Sequence, residues 1–144
     1  MTPTPARTLV VAALVAAVGT FAVLAAVYDD LPELPRSAPV STAVAGLFEA
    51  ALSYSVRARL AGRPRSKPIL PLTVARLAAL ARASSLVGAL AGGVWAGVLA
   101  TTLPKGSDPP VAGADSITAG LGLAAAVLLV VGALLLERSC RVRR

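Results

Sequence analysis

No charged residue occurs between positions 9 and 28, a run of 20 residues. At about 1.5 Å per residue, a helix of that length covers the roughly 30 Å hydrocarbon thickness of a bilayer. Three further stretches are nearly as poor in charge. They are 38–56, with Glu49 as its one charge, 77–103, and 116–136. Together the four occupy more than half of the 144 residues, which leaves no room for a sizeable soluble domain. Composition agrees. The chain is 56% hydrophobic and 15% charged, with mean hydropathy +0.77, whereas a soluble domain carries about 25% charged residues.

A basic residue ahead of an apolar run also describes a secretory signal. The apolar core of such a signal is only about 7–15 residues long, so 9–28 is read as an uncleaved anchor preceded by a short polar tail. Pro32, Pro35 and Pro39 break the chain after it. Gly62, Pro64 and Pro68 break it after the second stretch, and Pro104, Pro109 and Pro110 after the third. Pro71 suits the first turn of a helix. The segment 72–103 is too long for one simple span, so its start, with Arg76 and Arg82, is read as an amphipathic lead-in to the third helix. Asp115 is the expected N-cap of the fourth. The four segments share no repeat, which leaves an internal-repeat transporter design without support. The expected fold is all-α: a polytopic membrane protein forming a four-transmembrane-helix antiparallel bundle, residues 1–144 as one domain.

The net charge of +7 in a soluble chain would point to nucleic acid. Here its distribution gives a different reading. Assigned to alternate sides, twelve Lys and Arg fall with Arg7, the second loop and the tail, while only Arg36 and Lys105 fall opposite. Short loops rich in Lys and Arg stay in the cytoplasm. Both termini are therefore expected there, in an inner (plasma) membrane, with no nucleic-acid partner. The bilayer itself is the first partner. Arg57, Arg59, Arg63, Arg65 and Lys67 in the second loop are candidate lipid-headgroup contacts, although topology alone accounts for them.

Catalytic chemistry finds little to work with. Histidine is absent, and Cys140 is the one cysteine. That leaves no Cys/His zinc site, no internal disulfide and no His base. Ser84 and Ser85 have no base beside them in the sequence, and no phosphate-binding loop occurs. No catalytic, cofactor-binding or metal-ligating residue is assigned, and no cofactor is expected.

The polar residues inside the apolar stretches are the remaining signal. Glu49 lies about 12 Å along its helix from Arg57, at a depth where a charged side chain costs about 2.5–3.5 kcal/mol on insertion scales. Thr42, Glu49, Ser53 and Arg57 fall near one helical face. Arg82 and Ser85 begin a strip on the third helix that continues through small residues, among them Gly88, Gly92, Gly93 and Gly97. Such residues let helices approach closely, within one chain, between copies, or against another membrane protein. Glu49, Ser53, Arg82 and Ser85 form the candidate intramembrane polar site. Two arrangements stay open: a Glu49–Arg82 ion pair, or a protonated Glu49 bonded across helices while Arg82 reaches for headgroups.

The order of these features resembles a known family. Glu49, VRAR at 56–59, PLTVAR at 71–76 and ARASSLVGAL at 81–90 carry the likeness. VWAGVL at 94–99, LP at 103–104 and LLERSCR at 135–141 complete it. The chain is similar to domain-of-unknown-function family 3180, small actinobacterial inner-membrane proteins. The resemblance implies four spans, no assigned activity, and a loose link to folate-biosynthesis genes. The function expected is a non-enzymatic accessory or interaction subunit of the cell envelope. The alternative is a small proton-coupled transporter that uses Glu49.

Overall fold

The structure is a computed structural model that describes residues 5–28, 32, 34–60, 71–105 and 110–140. It contains four long helices: α1 (Ala6–Val27), α2 (Ala38–Leu60), α3 (Pro71–Thr102) and α4 (Pro110–Cys140), with a 3₁₀ turn at Leu103–Lys105 after α3. Proline sets the starts. Pro71 and Pro110 each occupy a first helical position, where a missing N–H costs nothing. α2 grows out of a turn in which Ala38 N donates to Pro35 O at 3.0 Å. Pro104 removes a backbone donor just past α3.

The lead-in from 72 continues into the third helix, and α3 is one helix of 32 residues. One expectation is corrected here. α4 starts at Pro110 rather than Ser116 and runs to Cys140 rather than Leu136. Asp115 therefore lies inside the helix and caps nothing.

Among the described residues, three segments are long and apolar enough to cross a membrane: Ala6–Val27, Ala75–Lys105 and Ala112–Cys140. The expected fourth, α2, is not among them. Its Glu49, its hydroxyl side chains and the arginines at its end dilute its apolar content.

α3 and α4 form a central antiparallel pair, with α1 packed on α3 and α2 packed on α4. Neighbouring residues fix the directions. Gly88 faces Leu129 and Val130, while Gly92 faces Ala126 and Leu123. Gly93 faces Ala13 and Ala16, and Gly97 faces Ala17 and Thr20, so α1 and α3 run parallel. Gly46 faces Leu128 and Leu129, and Val56 clusters with Leu136 and Cys140, so α2 and α4 run parallel. The ends of α1 and α3 that carry Arg7 and Arg76 thus lie with the end of α4 that carries Arg138.

The packing is inside-out compared with a water-soluble domain. The interior is built of small side chains, with Ala81, Ala112, Ala119 and Ala133 all at 0% exposure. The large apolar groups point outward, among them Val15, Leu47, Phe48, Ile117 and Leu121. Water would penalise that surface. Hydrocarbon does not, and helix association there depends on close backbone approach. The α2–α4 crossing shows how close: a Cβ added at Gly132 would sit 2.7 Å from the Gly46 carbonyl oxygen.

Candidate functional site

Two buried polar clusters interrupt this apolar interior, one toward each end of the bundle. At the basic end, α2 meets both central helices, and Val56, Ala78, Ala81, Leu136 and Cys140 pack together. Just above them lies Glu49, 5% exposed, with Ser53 one turn away on the same face and equally buried. The Glu49 stem passes Gly132 of α4, where the missing side chain makes room for it. Ser84 of α3 is the hydrogen-bonding neighbour of its carboxylate. Oε2 of Glu49 is buried and has no hydrogen-bond partner.

The ion pair forms elsewhere than the sequence left open. Arg82 Nε lies 3.8 Å from Oε1 of Glu137, on α4. The Glu137 side chain is 8% exposed and that of Arg82 38%. Arg82 is thus engaged at the α3–α4 seam while Glu49 turns to Ser84. Ser85 is fully buried and donates to the Arg82 carbonyl at 2.9 Å. Its hydroxyl is consumed within its own helix, a common way to carry a polar side chain through an apolar layer.

The candidate site residues therefore divide. Glu49 bonds to Ser84, with Ser53 buried one turn away on α2, whereas Arg82 and Ser85 make other bonds. Sequence reasoning passed over two participants. Glu137 was placed in the tail because the helix was expected to stop at 136, and Ser84 was weighed only as a nucleophile. The helix-packing glycines also divide. Gly88 and Gly92 face α4, and Gly93 and Gly97 face α1. Trp95 lies over Gly122 of α4, where the missing side chain makes room for its ring. Of the lipid-headgroup candidates, Arg57 and Arg59 belong to α2, and Arg63, Arg65 and Lys67 lie outside the described residues.

The second cluster, at the opposite end, had no counterpart among the expectations. Asp115 is 2% exposed. Its Oδ2 accepts from Tyr28 Oη at 2.8 Å, and its Oδ1 accepts from the Leu34 backbone N–H at 3.0 Å. Lys105 Nζ stands 4.4 Å above the centre of the Tyr28 ring, a cation–π distance. Asp115 thereby ties the connection between α1 and α2 to α4. α1 and α2 themselves pack on different members of the central pair.

Chemically, the second cluster is closed and the first is open. Both oxygens of Asp115 have donors, whereas one oxygen of Glu49 has none. A buried carboxyl with a spare oxygen beside hydroxyl groups can take up a proton or a small cation. Among the described residues, no group of three potential metal ligands comes together.

The family model described as protein of unknown function (DUF3180) matches residues 9–144. No curated protein and no solved structure matches.

Proposed function

The chain belongs to the DUF3180 family of proteins of unknown function, and from that premise we propose a multi-pass inner-membrane protein that serves as a non-enzymatic accessory or interaction subunit of an actinobacterial envelope. In this reading the chain spans four times, with α2 as the second span and both termini in the cytoplasm. The parallel and antiparallel directions of the helices support it, as does the gathering of Arg7, Arg76 and Arg138 at one end.

One observation carries the interaction role. α2 is the least apolar of the four helices and lies at the edge of the bundle, against α4 along most of its length. Its outward face mixes Leu47 and Phe48 with exposed Ser41, Tyr54 and Ser55. A face of that mixture gains more from another helix, which offers both packing and hydrogen bonds, than from lipid tails. The covering helix belongs to a partner protein or a second copy. A photo-reactive residue at Phe48, in native membranes, tests this. A crosslinked product of defined mass at Phe48, absent when the group is at Val15 of α1, is the expected result. Crosslinks to lipid alone at both positions would remove the reading.

A second reading rests on the spare oxygen of Glu49. A small proton-coupled exporter would alternate that carboxyl between protonated and substrate-bound forms. Proteoliposomes driven by a pH gradient should then take up a cationic dye, and Glu49→Gln should abolish uptake. Uptake that persists in Glu49→Gln excludes this role for the residue.

A further inference from the structure

α1 and α4 both lean on α3 but diverge from one another, and a groove of about 390 Å³ runs between them. Its floor is Ala89 and Gly92 of α3, and its walls include Val10 and Leu14 of α1 and Val127 and Val131 of α4. Every residue that lines it is Val, Leu, Ala or Gly. Water gains nothing in such a space, because it finds no polar partner. Left empty, the lining would forfeit its dispersion contacts on one side.

The mouth of the groove is charged. Arg7 precedes Val10 by three residues and Leu14 by seven, so it lies on the lining face of α1. Arg138 follows Val131 by seven and Val127 by eleven, so it lies on the lining face of α4. Both are exposed. They also converge in depth. With Gly93 level with Ala13 and Ala16, and Gly92 level with Ala126, Arg7 starts about 11 Å and Arg138 about 18 Å below that level. Helical side chains lean toward their own N-terminus. Arg7 therefore leans outward and Arg138 inward, which brings both guanidinium groups toward one layer about 15 Å from the level of Gly93. Glu137 stands next to Arg138 in sequence but is committed to Arg82.

We propose that this groove is a binding site for an anionic phospholipid, with one acyl chain between α1 and α4 and the phosphate held by Arg7 and Arg138. A wholly apolar lining that ends at two exposed arginines matches an apolar chain with an anionic head, the chemistry of a phospholipid. The paired guanidinium groups then select the headgroup, since arginine forms bidentate bonds to phosphate.

Native mass spectrometry of the full chain in mild detergent tests the proposal, with phosphatidylglycerol and phosphatidylcholine added in equal amounts. Wild-type protein should retain phosphatidylglycerol about tenfold or more over phosphatidylcholine, given two surface cations. The double variant Arg7→Gln, Arg138→Gln should retain both lipids alike. Leu14→Trp, which fills the groove from an exposed wall position, should lower retention of both. The loop variant Arg63→Gln, Arg65→Gln should keep the wild-type preference. Equal retention of the two lipids by wild-type protein overturns the proposal. So does a preference that survives in the Arg7/Arg138 variant, or one that disappears in the loop variant.

Discussion

Glu49 and Asp115 are both carboxylates buried to within a few per cent, yet they answer burial in opposite ways. Asp115 has a donor on each oxygen, the Tyr28 hydroxyl on one and the Leu34 backbone N–H on the other. Glu49 has Ser84 beside it and one oxygen without a partner. A buried polar group lacking a partner costs stability, whereas a paired one contributes to it. The two clusters thus separate a fastener from a place where something reversible can happen. Burial alone would have ranked them together.

The largest expected effect tests the fastener. Asp115→Ala removes an acceptor from the Tyr28 hydroxyl and from the Leu34 N–H, each of which loses a bond to a carboxylate worth about 1.5–3 kcal/mol. Unfolding in mixed micelles should show a loss of about 3–5 kcal/mol, and a change below about 1 kcal/mol would mean that Asp115 fastens nothing. Next comes the crossing that holds α2 in place beneath Glu49. Gly132→Val drives a side chain into the Gly46 carbonyl, and overpacking of this kind costs about 1–3 kcal/mol. The same denaturation assay reads it, and Gly120→Val, where a Cβ meets nothing within 4 Å, is the control.

The Arg82–Glu137 pair should rank third. With Arg82 partly exposed, a double-mutant cycle using Arg82→Gln and Glu137→Gln should give a coupling of about 1 kcal/mol or less. A cycle that couples Arg82 to Glu49 instead would move the ion pair and overturn the separation drawn above. The smallest effect belongs to Glu49. Glu49→Gln removes a potential charge while keeping shape, so stability should stay level or rise by up to about 1 kcal/mol. A loss as large as that of Asp115→Ala would make Glu49 a fastener too.

Hydropathy and proline made much of this architecture legible, and they did so for a physical reason. Charge-free runs such as 9–28 and breakers such as Pro32 and Pro104 act locally, so one sequence carries their meaning. The register of Glu49 and Ser53, four residues apart, is equally local. The ends of α4 were misread for the opposite reason. Asp115 is charged near a helix start, and charge there reads as a cap. Its actual partners lie 87 and 81 residues away, at Tyr28 and Leu34. Glu137 likewise read as the start of a polar tail, because its partner Arg82 comes from another helix. The small-residue strip of α3 was visible as a strip. Its division between α1 and α4 depends on which helices flank it, which spacing does not encode.

The order of helices across the bundle bears on how the protein is made. α1 and α2 leave the ribosome first and share a short connection, yet they have no substantial interface with one another. α1 rests on α3, and α2 rests on α4. α1 therefore finds its packing partner only once α3 is made, and α2 only once α4 is made. A chain halted after α2 holds two helices that lack their packing partners, and a Glu49 that lacks Ser84 beside it. Assembly is a late event, completed when the last helix arrives and Asp115 takes up the Tyr28 hydroxyl and the Leu34 N–H.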